Sequence, residues 1–199
     1  MLEIIISICL GVGLSASAGF RVFVPLLLLS IAGYFEWIPL NEDWQWAGSI
    51  TAIIVLAVAS IIELIAYFIP YIDNVLDTIS IPLATVAGTL VMFTVLGDVE
   101  PIYSWTLAII AGGGTAATIA TTTSAARATS TTMTAGIANP VISTIEAVLS
   151  TFLSVLSLLA PIIAVIVVIL LFFGLRKIYR SMFKKSSLSR KHNHPQTLN

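Results

Sequence analysis

The sequence is poor in the residues with which soluble proteins do most of their chemistry. Its 199 residues include one cysteine, Cys9, and two histidines, His192 and His194, both close to the last residue. A single cysteine excludes an intrachain disulfide and a thiol relay. With no histidine before position 192, a haem or an imidazole-held metal within the apolar part is excluded as well. No glycine-rich loop ends in Gly-Lys-Ser/Thr, and Gly112-Gly113-Gly114 leads into Thr115 with no lysine nearby, so the phosphate cradle of an ATP-driven pump is missing. Charge is scarce too: 10% of residues are Asp, Glu, Lys or Arg, where a soluble domain carries roughly 25%. What fills the chain instead is apolar. Hydrophobic residues make up 58% and the mean hydropathy is +1.04. Apolar runs follow one another up to Leu175, and about 20 such residues cross a bilayer as helix. A water-soluble globular fold is excluded. The expected fold is all-α, a polytopic membrane helix bundle, with residues 1–175 as the transmembrane domain and 176–199 as a basic tail.

Seven of the nine Lys and Arg residues lie in that tail (Arg176, Lys177, Arg180, Lys184, Lys185, Arg190, Lys191), which places it on the cytoplasmic side. Anionic headgroups are a second use for the same charges. The N-terminal Ser15-Ala16-Ser17-Ala18 resembles a cleavage site, but no Lys or Arg precedes it and Glu3 does, so the segment reads as uncleaved. Residues 2–34 are about 50 Å long as one helix, too long for one crossing. Pro25 removes the hydrogen bond to the Arg21 carbonyl, so a broken or re-entrant helix is expected there. The second long segment, 105–135, has a soft polar middle around Arg127, with eleven Ser or Thr among residues 115–134. The acidic stretches 36–46 and 98–104 read as loops, the tryptophans of the first suiting the headgroup level. Counting each long segment as one crossing gives six, with both termini cytoplasmic in an inner, multi-pass membrane location.

Six crossings divide into three plus three, which makes the halves (about 1–97 and 105–175) inverted repeats. Arg21 in one long segment is matched by Arg127 in the other, and Ser60-Ile-Ile-Glu63 by Ser143-Thr-Ile-Glu146. The spacing differs: 42 residues separate Arg21 from Glu63, and 19 separate Arg127 from Glu146. Inverted repeats with broken helices are a recurrent transporter plan, with the solute site at the breaks.

A mid-bilayer Arg or Glu costs about 2.5–3.5 kcal/mol, so Arg21, Arg127, Glu63 and Glu146 together would cost about 10 kcal/mol unpaired, comparable with a whole protein's stability. They are therefore paired, hydrated or near an interface. Ser17, Ser60, Tyr67 and Ser143 accompany them at helical spacing. Ser143-x-x-Glu146 also fits a capping box. Asp73, Asn74 and Asp77 form an acidic vestibule near the start of the third crossing, where Asp77 also suits a helix N-terminus.

Several stretches resemble the domain of unknown function 4126 family of small bacterial membrane proteins: Gly13-Leu-Ser-Ala-Ser-Ala-Gly-Phe-Arg-Val-Phe-Val-Pro25, then Glu63-Leu-Ile-Ala-Tyr-Phe-Ile-Pro-Tyr-Ile-Asp-Asn-Val-Leu-Asp77, and the shorter Ala111-Gly-Gly-Gly114 and Asn139-Pro140-Val141 onward to Glu146. The resemblance covers about residues 11–175; Thr115–Thr134 is more polar than the family's Ala/Gly-rich pattern. It implies membrane residence and no activity. The three-plus-three plan is also similar to that of lysine-exporter-like transporters, an analogy of fold only.

Three functions follow as expectations. The first is a secondary transporter or channel for a small anion or anionic headgroup, with Arg21 and Arg127 on the solute and Glu63 and Glu146 as counter-ions or proton carriers. The second is a non-transporting scaffold whose buried charges are structural ion pairs. The third is a cation or metal exporter using Glu63, Asp73, Asp77 and Glu146. No enzyme, cofactor or resident metal site is expected. The partners are the lipid bilayer and a small solute or ion, with a homo-oligomer left open and no nucleic acid.

Overall fold

A computed structural model describes residues 2–97 and 99–174, apart from the side chains of Pro70, Tyr71 and Asn74. The basic tail 176–199, Asp98 of the second acidic loop and the Asn74 side chain of the expected vestibule lie outside the described residues. Among those described, the chain is helical and has no strand. The helices are α1 (Leu2–Phe20), α2 (Phe23–Tyr34), α3 (Ile50–Ala66), α4 (Pro70–Val95), α5 (Pro101–Leu107), α6 (Gly114–Thr134) and α7 (Asn139–Leu159), followed by α8 (Pro161–Gly174). A 3₁₀ turn, Glu42–Gly48, precedes α3, and a π turn, Ala108–Gly113, joins α5 to α6.

α1 is the central helix, and its sequence explains why. From Leu10 to Phe20 it is almost wholly buried and made largely of Gly, Ala and Ser, which lets other backbones come close. Gly11 lies against Met92 and Val95, Ser15 donates to the Gly88 carbonyl of α4 at 2.8 Å, and Ala18 clusters with Ala84, so α1 and α4 are antiparallel. On another side Ser150 of α7 donates to the Ser17 carbonyl at 3.0 Å and Gly13 meets Ser157, again antiparallel. α4 and the π turn approach just as closely: a Cβ at Gly112 would lie 2.5 Å from the Gly88 carbonyl oxygen.

The break comes at Arg21 and Val22, four residues before Pro25, as the proline argument requires. Its consequence is larger than a kink. Leu29 of α2 packs beside Leu10 and Leu14, so α2 folds back along α1 as a re-entrant pair whose turn is Arg21. Both outer ends then lie at one end of the bundle, here the loop end. There Asn41 donates to the Leu96 carbonyl, and the Phe93 ring meets Trp44 edge to face and Trp105 at a tilt. α8 runs from the loop end toward the other end, placing Ala164 beside Gly13 and Val168 in the cluster of Ala16 and Phe20. The start of α1 and the end of α8 are thus at opposite ends of the bundle, not on one side as the six-crossing count expects.

Four described helices are long and apolar enough to cross a membrane, or five if the bent pair Glu42–Gly48 and Ile50–Ala66 is one span. α2 has 12 residues and reaches about 18 Å, short of a roughly 30 Å core. The second long segment differs from its expected form: Pro101–Thr134 is one rod of 34 residues that passes Arg127 without a break. The hydroxyls that were expected to soften it bond back onto their own helix, Thr118 to the Gly114 carbonyl, Thr121 to Ala117 and Thr122 to Thr118. The two halves are therefore built differently around their arginines.

Candidate functional site

Away from the loop end, one or two turns inside the bundle, five elements bring their charged residues together. The α1–α2 turn supplies Arg21, α3 supplies Glu63 in its last turn with Tyr67 just after it, α4 begins with Asp73 and Asp77, α6 contributes Arg127 near its last turns, and α7 contributes Asn139, Ser143 and Glu146 near its first. Arg21 and Arg127 are the largest fully buried side chains among the described residues, at 1% and 2% exposure.

Arg127 is fully engaged. Its Nε donates to the Glu146 carboxylate at 3.1 and 3.2 Å, and its Nη1 to Asp73 Oδ1 at 2.5 Å. Its Nη2 donates to Ser143 Oγ at 2.7 Å and also to Glu146. Asp77 Oδ1 stands 3.7 Å from Nε. Such a guanidinium fork, saturated by carboxylates, is the strong form of buried pairing. Asp73 is held from its far side by Asn139 Nδ2 at 2.9 Å, which also donates to Thr131.

Arg21 has fewer partners. Nη2 donates to the Ser143 carbonyl at 2.9 Å and lies 3.3 Å from Glu146 Oε2. Nε and Nη1 are buried and have no acceptor among the described residues. The Tyr67 ring lies against both guanidiniums, with Cζ of Arg21 3.8 Å and Cζ of Arg127 4.2 Å from its centroid. A cation over an aromatic face is worth about 0.5–2 kcal/mol.

Glu63 has a different role from the one its spacing suggests. It does not pair with Arg21; its Oε1 accepts from the Val22 N–H at 2.9 Å and its Oε2 from the Phe23 N–H at 3.1 Å. The break leaves such groups at the start of α2 without helical acceptors, and a carboxylate at a helix N-terminus is favoured by the dipole as well. Glu63 therefore caps the broken helix from the neighbouring one.

The structure assembles Arg21, Glu63, Tyr67, Asp73, Asp77, Arg127, Ser143 and Glu146 in one place. Ser17 and Ser60 fall outside it. The Ser17 hydroxyl turns back to the Gly13 carbonyl, and Ser60 is buried a turn before Glu63 with no partner among the described residues. Two helix-start readings change. α7 begins at Asn139, so Ser143 and Glu146 lie inside the helix and form no capping box. α4 begins at Pro70, so Asp73 occupies the first turn and Asp77 the next. Asn139 is the member that spacing arguments missed; its position beside Pro140 at a helix start was the available signal. Among the described residues no three His, Cys, Asp or Glu side chains form a metal-holding group, because the carboxylates face arginines and backbone N–H groups.

A small cavity of about 10 Å³ adjoins the cluster, with Glu63, Tyr67, Asp77, Ser124, Arg127 and Glu146 in its wall. It has room for about one water. A wider groove of about 400 Å³ opens outward along Asp77, Thr78, Ser124, Ala128 and Thr131. Asp77 and Ser124 belong to both.

Apolar helices of spanning length around a buried ionic core define a multi-pass membrane protein. The model for the family described as "Domain of unknown function (DUF4126)" matches residues 8–180, and the chain belongs to that family. No curated protein and no solved structure matches it.

Proposed function

We propose that the protein is a secondary transporter for a small anion or an anionic headgroup, and that Arg21, at the turn of the re-entrant pair, holds the solute's negative group. The observation that carries this reading is the pair of buried donors on Arg21, Nε and Nη1, without an acceptor. A buried donor left unpaired costs about 1–3 kcal/mol, and more when charged; an anion at the turn removes that cost. A broken helix whose ends meet polar groups inside the bundle is also the usual architecture of a transporter site. Arg127 has a supporting role: saturated by Asp73, Ser143 and Glu146, it locks α4, α6 and α7 together. That saturation favours a second reading, in which the cluster is only a lock and nothing is carried. No enzymatic activity is proposed.

With the basic tail in the cytoplasm, the cluster lies nearer the cytoplasmic face of the inner membrane and the loop end faces out. The bilayer is the immediate partner. The test is uptake by proteoliposomes offered a panel of small carboxylates, phosphate, sulfate and short-chain phospholipids. Flux above protein-free vesicles, lost in Arg21→Gln, supports transport. Wild-type flux equal to that of empty vesicles across the panel leaves the lock reading.

A further inference from the structure

We propose that Asp77 is the site at which a proton enters the cluster, and that this proton drives the transport cycle; the inference rests on the transport reading above. The cluster holds two guanidiniums, Arg21 and Arg127, and four carboxylates, Glu63, Asp73, Asp77 and Glu146. Three of the four are compensated. Glu63 takes two N–H groups at the start of α2. Asp73 sits in the first turn of α4, held by Arg127 and Asn139. Glu146 lies between both arginines. Asp77 is left with one contact, 3.7 Å from the Nε of an arginine already engaged by Glu146, and its carboxylate accepts no hydrogen bond among the described residues.

Exposure singles out the same residue. The Asp77 side chain is 21% exposed, against 6% or less for Asp73, Glu146 and the two arginines. It is the carboxylate shared by the outward groove and the water-sized cavity beside Glu63, Tyr67, Arg127 and Glu146. A proton arriving through the groove meets Asp77 first, and one water in the cavity suffices to relay it inward. The charged and titratable groups around Asp77 are Arg21 from the turn, Glu63 from α3 and Tyr67 just after it, Asp73 from its own helix, Arg127 from α6 and Glu146 from α7.

A metal cation is a poorer occupant. Calcium takes six to eight oxygens and magnesium a near-octahedral set, whereas the other three carboxylates are committed elsewhere. A proton needs one carboxylate. On protonation the Asp77 carboxylate becomes a neutral acid, one negative charge leaves the cluster, and Arg127 Nε keeps Glu146 alone. Release of the proton restores the pull of Asp77 on Arg127. The cycle alters the element that locks α4 to α6 and α7.

The first arm of the test needs no solute. Hydrophobic carbodiimides add to protonated carboxylic acids from the membrane phase, so the full chain in phosphatidylcholine vesicles is treated with dicyclohexylcarbodiimide and its peptides are weighed. The expected result is an adduct on Asp77, faster to form as pH falls and lost in Asp77→Asn, with Asp73, Glu63 and Glu146 unmodified. An adduct on one of those three with Asp77 untouched overturns the proposal, as does no adduct at all. Should Asp77→Asn fail to fold, Asp77→Glu moves the adduct to a side chain one methylene longer at the same position and serves instead. In the second arm, uptake by wild-type proteoliposomes responds to an imposed pH gradient and uptake by the Asp77 variant does not. A variant as responsive as wild type refutes this inference alone. Wild-type vesicles that carry nothing refute the transport reading, while the labelling result still stands or falls by itself.

Discussion

Arg21 and Arg127 are both buried, both lie against Tyr67 and both reach Glu146, yet their surroundings differ in kind. Arg127 projects from an unbroken 34-residue rod into a ring of acceptors that uses every nitrogen of its guanidinium. Arg21 projects from a break in which the backbone is satisfied by another helix, and two of its own nitrogens are left over. A charge held by a regular helix and saturated by fixed partners is a joint. A charge held at a turn with unused donors is free to act as a binding group, the role proposed above for Arg21. The same residue type thus stands in two kinds of surroundings in one cluster.

Removing the joint has the largest expected effect. Arg127→Met leaves buried Asp73 with Asn139 as its side-chain donor and Glu146 with Arg21 alone, and breaking a buried ion pair from one side costs about 3–5 kcal/mol. The unfolding midpoint of the purified protein in detergent should fall accordingly, and a loss under 1 kcal/mol would remove the distinction between the two arginines. Next comes the cap. Glu63→Ala leaves the Val22 and Phe23 N–H groups without acceptors, for an expected loss of about 2 kcal/mol, and Glu63→Gln, which keeps one oxygen, recovers about half. Equal losses for the two variants would mean that the carboxylate acts by charge alone, not as an acceptor for both N–H groups.

The shared ring gives the smallest effects. Tyr67→Leu removes a face from both cations and is expected to cost about 1 kcal/mol or more. Tyr67→Phe keeps the ring and should stay within about 0.5 kcal/mol of wild type. If the two changes cost the same, the stacking contributes nothing and the hydroxyl has a role the geometry does not suggest.

The membrane class, the helical fold and the break at Arg21 were legible in the sequence, because each rests on a local rule: composition, helix length and the missing N–H of Pro25. The residues of the cluster were also legible, since buried charge is costly enough to mark itself. Their pairing was not. Glu63 meets the break only because α2 folds back beside α3, a tertiary fact that no spacing encodes. The Thr-rich stretch around Arg127 read as a soft break, but hydroxyls that bond to carbonyls one turn back, such as Thr129 to Ala125, satisfy themselves within a continuous helix. Pro70 at the first position of α4 was a legible start signal, and it moves Asp73, not Asp77, to the helix N-terminus.

The most direct test of the two-arginine account compares Arg21→Gln with wild type in the same proteoliposomes, with unfolding measured alongside. Arg21→Gln is expected to unfold within a few degrees of wild type and to lose at least 90% of the uptake of whichever small anion or short-chain anionic lipid the wild type carries, about 1.4 kcal/mol or more of lost solute interaction. A stable variant with unchanged uptake, or a wild type that carries none of them, would contradict it.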